Sequence, residues 1–190
     1  MKTKSRILRR NYFNRPTLTV ARSLVGKYII RCIDGREIAG KIIEVEAYVG
    51  SQDMACHASK GRTQRTEVMF GQAGAAYVYL IYGMYHCLNV VTEREEFPSA
   101  VLIRAIELDG ELIDGPGRLC RALEVDRRLN RVDLTTGESL WFEDRGGVGR
   151  GTVGAYPRIG VDYAGAWAEK PWRFRLRTVT THKQTRHTKK

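Results

Sequence analysis

The sequence predicts a single α+β domain of short strands with a few brief helices. Three observations predict it. The run Ala76–Val91, AYVYLIYGMYHCLNVV, is rich in tyrosine and β-branched residues and is broken by one glycine, the signature of two strands and a turn. Asp34-Gly35 stands between two further apolar runs, as a hairpin turn does. Helical spacing is confined to short stretches after Pro16 and around Gly115-Pro116-Gly117. A chain of 190 residues is most economically one domain, long enough to bury a core.

In chain order, residues 1–10 carry Lys2, Lys4, Arg6, Arg9 and Arg10 and read as a basic flexible arm. Pro16 is suited to the first position of a helix. Leu18, Ala21, Leu24 and Val25 fall on one face of it, and Gly26 closes it. Tyr28–Ile33 is a strand. The next strand, Ile38–Tyr48, alternates. Ile43, Val45 and Ala47 take one face and suit a core, while Glu44, Glu46 and Tyr48 take the other. A single strand glutamate is more often solvated than functional, so this face alone proves little.

Residues 49–75 lack strong periodicity. They hold Gly50, Asp53, His57 and the basic Gly61–Arg65, before a short helical turn at Met69–Phe70. Cys56-His57 suggests a thiol nucleophile, but adjacent residues seldom face one another. Strands Ala76–Ile81 and His86–Val91 follow, joined at Tyr82–Tyr85. Most strand tyrosines are packing residues. The turn, however, sends Tyr82 and Met84 outward beside Gly83, which accepts positive φ. Exposed apolar side chains on a rigid tip suit a wedge between stacked bases. Pro98–Ala105 is a strand ending near Arg104. A helix after Gly115 buries Leu119, Ala122 and Leu123. Residues 131–160 read as strands and glycine-rich loops, with Glu143 and Asp144 solvated. A last strand spans Trp172–Val179, and residues 182–190 form a second basic flexible tail.

Lys and Arg number 32 against 21 Asp and Glu, a formal charge of +11 that suits a polyanion, nucleic acid before an anionic membrane. Cys32, Cys56, Cys87 and Cys120 lie far apart without zinc spacing, which points to a reducing, cytoplasmic compartment. The start, MKTKSRILRR, lacks the apolar stretch of a secretory signal. The 76–91 run carries His86 and Asn89 and is too short to span a bilayer.

The pieces Glu44–Tyr48 (EVEAY), Asp53–His57, GRTQR, MFGQAG, Tyr77–Val90, Val101–Glu107, Gly115–Leu123 and Pro157–Phe174, in this order, resemble the alkyladenine (3-methyladenine, alkylpurine) DNA glycosylase family. The resemblance runs from about Asn14 to Arg177. It implies one domain over 1–190, with a curved antiparallel β-sheet flanked by short helices. It also implies a monofunctional base-excision-repair enzyme that needs no metal or cofactor. Such an enzyme acts as a monomer on damaged double-stranded DNA, with no obligate protein partner and no membrane. By matching position, Glu46 corresponds to the general base and Arg104 to its partner at the catalytic water. Tyr48, His57 and Tyr79 match the side chains that sandwich a flipped base, and Asn89 the pocket floor. Tyr82, with Met84 beside it, matches the residue that fills the vacated stack. The chain departs from the family at Val45, commonly threonine, and at Thr63-Gln64-Arg65-Thr66, commonly Thr-Pro-Arg-Asn.

Two readings from other classes compete. A non-catalytic RNA- or ribosome-binding module would use the same basic surface and aromatics without needing Glu46. A metal-dependent nuclease would draw on Glu44, Glu46 and Asp53.

Overall fold

The computed structural model describes residues 6–146, 148 and 152–177. Among these residues, ten strands join in one antiparallel sheet. They are β1 (Arg6–Ile7), β2 (Tyr28–Ile33), β3 (Arg36–Val49), β4 (Ala76–Ile81), β5 (Tyr85–Val91), β6 (Ser99–Leu108), β7 (Glu111–Asp114), β8 (Leu140–Asp144), β9 (Val153–Tyr156) and β10 (Arg173–Leu176). The main order is β1-β8-β2-β3-β6-β5-β4, with β7 on β6 and β10 bridging β3 and β9. The short helices are α1 (Arg10–Phe13), α2 (Thr17–Leu24) and α3 (Pro116–Ala122). The predicted α+β class with an antiparallel sheet is the observed one. No helix among the described residues is long and apolar enough to cross a membrane.

The long strand β3 organises the sheet. One edge of it pairs with β6 along most of its length. The other edge pairs first with β2, Arg36 to Lys41, and then with β10, Glu44 to Glu46. The ladder with β6 loses regular register between Ile42 and Val45. This irregularity corrects the alternation expected there. Ile42, Val45 and Ala47 enter the main core, whereas Ile43 is buried outside it. A bulge places an extra residue in the strand and resets which face each side chain takes. Glu44 and Glu46 lie on the face away from that core, and both are fully buried there.

The core lies between the sheet and α2, whose Val20, Ala21 and Leu24 pack with Ile29, Val45, Ile103 and Phe142. Pro16 sits at the N-cap of α2, one position ahead of the expected helix start. In α3, Leu119 and Cys120 are buried with Leu123 just beyond, while Ala122 is half-buried.

Two expectations about charge are corrected. Residues 6–10 do not behave as a free arm. Arg6 and Ile7 pair with Asp144 and Glu143, Leu8 is buried, and Arg9 donates to the Thr135 carbonyl at 2.8 Å. Arg10 donates to the Ala73 carbonyl at 2.6 Å and forms an ion pair with Asp133. Glu143 is also not solvated. It lies on β8, an inner strand between β1 and β2, and accepts from Trp141 Nε1 at 2.9 Å and Arg145 Nε at 2.7 Å. Asp144 is half-buried and accepts from Lys27 Nζ at 2.7 Å. Residues 1–5, the tail at 182–190 and the end of the Trp172–Val179 strand lie outside the described residues.

Candidate active site

A cavity of about 140 Å³ opens on one side of the sheet. Glu46, Tyr48, His57, Tyr79, Asn89 and Arg104 all line it, although they come from four strands and a short 3-10 turn, His57–Lys60. β3 delivers Glu46 and Tyr48, two residues apart and so on the same face. β4 delivers Tyr79, and β5 delivers Asn89. β6 delivers Arg104, which lies between Ile103, opposite Val45, and Ala105, opposite Glu44. The irregularity in the ladder is therefore what sets Arg104 beside both carboxylates.

Glu46 is held from several sides. Oε2 accepts from the Tyr48 hydroxyl at 2.8 Å, and Oε1 accepts from the Ile159 backbone N–H at 2.9 Å. Arg104 Nε stands 3.5 Å from Oε1. Burial raises the Glu46 pKa above the ordinary carboxylate value, while Arg104, Ile159 and Tyr48 offset part of that rise. Burial, with the Glu46 charge second, drives the Tyr48 hydroxyl well above its ordinary pKa, so Tyr48 stays a neutral donor.

The wall of the cavity is aromatic. The His57 and Tyr79 rings meet edge-on with centroids 4.7 Å apart. The Tyr77 hydroxyl lies 2.8 Å from His57 Nδ1. Burial lowers the His57 pKa to about 4, helped by the charges of Arg65 and Lys60, so the imidazole is neutral near pH 7. Asn89, opposite Tyr77 in the β4–β5 ladder, donates from Nδ2 to the Tyr77 carbonyl at 3.0 Å.

Tyr82 and Met84 do not line the cavity. They stand on the β4–β5 turn, 83% and 64% exposed. Tyr82 adopts φ 53° and Gly83 φ 70°. Two successive positive φ values in a hairpin turn favour Asn-Gly, and tyrosine there is an uncommon choice.

Several contributors were not singled out from the sequence. Tyr77 shares its strand face with Tyr79, a two-residue period that was open to reading. Ile159 contributes a backbone N–H, for which no side-chain signal exists. Arg158 closes a buried ion pair with Asp53 and lies against the Tyr48 ring, 4.9 Å from its centroid. Asp53 thus has its oxygens taken by Arg158 and by the Val49 and Ala55 N–H groups, and is not offered beside Glu44 and Glu46 as the nuclease reading requires. Burial pushes the Cys56 thiol up to about 12, against a nucleophilic role.

The chain matches the family model described as methylpurine-DNA glycosylase over residues 11–180. It is 50% identical over 184 residues to a protein of Methanocella arvoryzae, covering 88% of this chain and 91% of the relative. It is 50% identical over 172 residues to one of Myxococcus xanthus, covering 88% of each. It is 49% identical over 175 residues to one of Legionella pneumophila, covering 90% and 95%. All three relatives are provisionally named 3-methyladenine DNA glycosylase. A match of this extent, on a chain whose EVEAY strand and tyrosine hairpin meet at one cavity, means that the chain belongs to the methylpurine-DNA glycosylase family and is a DNA glycosylase for alkylated purines.

Proposed function

We propose that the cavity receives a damaged purine flipped out of duplex DNA, and that Glu46 activates the water that hydrolyses its bond to deoxyribose. The substrate class is 3-methyladenine, 7-methylguanine and hypoxanthine, and the product is an abasic site. The observation that carries this reading is the placement of a fully buried, hydrogen-bonded carboxylate beneath a wall of aromatic rings.

Each part has a physical task. Extruding a nucleotide costs a few kcal/mol. Stacking on Tyr48, His57 and Tyr79 returns about 1–3 kcal/mol per aromatic partner. Tyr82 enters the vacated stack as a wedge, with Met84 beside it. Its exposure and its positive φ support that use, since strain of this kind tends to persist where it serves function. The bond to the sugar then breaks through an oxocarbenium-like state. The Glu46 carboxylate stabilises that positive charge and takes a proton from water. A neutral His57 does not repel a cationic alkylated base, and the tyrosine faces attract it. No lysine is among the described residues lining the cavity, so a Schiff-base lyase step has no amine there.

The test is Glu46→Gln. Single-turnover base release should fall by orders of magnitude while damaged duplex still binds. A variant that releases base at the parental rate would refute the assignment.

A further inference from the structure

Glu44 is as deeply buried as Glu46, two residues away, yet the proposed chemistry gives it nothing to do. Its partners are unusual. Oε2 accepts from Arg175 Nη1 at 2.6 Å and lies 3.3 Å from Arg173 Nη1. Oε1 accepts from Arg104 Nε at 3.1 Å. That last bond matters because an arginine Nε carries a single hydrogen. Here it goes to Glu44, while Glu46 stands 3.5 Å away as an ion-pair partner only.

We infer that Glu44 is a positioning residue: by taking the Nε–H of Arg104 it keeps that guanidinium from closing on Glu46, which remains able to accept a proton from water. This rests on the reading of Glu46 as the base. The physical reason is competition for one cation. A carboxylate locked in a close arginine pair is a weak base, since an opposite charge nearby favours the ionised form. Sharing Arg104 between two carboxylates weakens that effect, and the charge of Glu44 itself works in the same direction. Arg175 and Arg173 in turn hold the Glu44 carboxylate in place, with Asp114 3.3 Å from Arg175 Nη1 on the outer side. The other groups facing Glu46 are Tyr48 on β3, Arg158 before Ile159, and Cys87 on β5.

The experiment is the pH dependence of single-turnover release of 7-methylguanine from duplex DNA. This base carries a fixed positive charge, so the acid limb reports the enzyme. Glu44→Gln frees Arg104 for Glu46, and its acid limb should move to lower pH by roughly one unit, with a slower plateau. Arg175→Gln leaves Glu44 less compensated, and its limb should move the opposite way. A slow Glu44→Gln variant whose limb stays at the parental pH overturns the inference, because a merely structural role lowers the rate without moving the limb. If Glu44→Gln does not fold, the Arg175→Gln limb decides, and no upward movement overturns it. Glu46→Gln, run alongside, separates the two levels. Its releasing base at the parental rate would sink the base reading itself, whereas an inactive Glu46→Gln with unmoved limbs elsewhere sinks only the role of Glu44.

Discussion

Arg158 and Asp53 form a bidentate ion pair, Nη1 to Oδ2 at 2.6 Å and Nη2 to Oδ1 at 2.8 Å, with neither side chain exposed. Arg158 also donates to the carbonyls of Ala47 and Trp167 and lies between the rings of Tyr48 and Trp172. The pair ties the loop after β3 to the segment that presents the Ile159 N–H to Glu46. Removing one member leaves a buried charge without its partner, which costs about 3–5 kcal/mol. Asp53→Asn should lower the urea midpoint accordingly. A loss within about 0.5 kcal/mol, the size of an ordinary surface change, would mean that the pair is not what fixes this loop.

The His57 pKa supplies a prediction with a definite sign. It is lowered from 6.5 to about 4 in the fold. Between these values the unfolded chain binds a proton that the folded chain does not, so stability falls as the pH drops through that window. His57→Gln removes this contribution. Unfolding measured at about pH 7 and about pH 5 should show the parent losing more stability on acidification than the variant. Equal losses would show that His57 is not the group that titrates.

How far the sequence revealed this molecule depends on the range of the forces involved. The strands at 28–33, 38–48 and 76–91 were legible because alternation and turn chemistry are local, and the resemblance named the residues that now line one cavity. The burial of Glu44 and Glu46 was not legible. It depends on Arg104, Arg175 and the Ile159 N–H, all distant in the chain. The same reason explains why residues 6–10 looked like a free arm, since the carbonyls of Ala73 and Thr135 and the carboxylate of Asp133 that hold them cannot be paired with them from the sequence. The irregularity near Ile42 breaks the two-residue period itself, so a periodic reading places Ile43 wrongly.

Tyr82 predicts a conflict between stability and activity. Its φ of 53° lies in a region that tyrosine enters at a cost of about 1–2 kcal/mol and asparagine tolerates better. Tyr82→Asn should therefore raise the melting temperature. On the proposed reading of Tyr82 as the wedge, the same change should slow base release from a well-paired duplex far more than release from a mismatched site. Equal slowing on both substrates would argue that Tyr82 shapes the turn and nothing else.

The last prediction concerns how normal purines are refused, and it rests on Asn89. Aromatic stacking tolerates every base, so the rings of Tyr48, His57 and Tyr79 cannot alone protect guanine. Guanine differs from hypoxanthine by a 2-amino group. Asn89 is 3% exposed, lines the cavity and donates to the Tyr77 carbonyl at 3.0 Å. That bond limits how far the amide can swing away from an incoming base. A 2-amino group would be crowded against it, and forcing extra atoms into a packed site costs about 1–3 kcal/mol, a tenfold to hundredfold bias. Asn89→Ser shortens the side chain and gives up the reach to Tyr77. Excision of guanine-type bases should rise relative to hypoxanthine, and stability should fall by about 1 kcal/mol for the lost hydrogen bond. The two readouts separate the roles of the amide. A fall in stability with an unchanged excision ratio would make Asn89 a clip between β4 and β5, and would place the refusal of guanine elsewhere in the cavity.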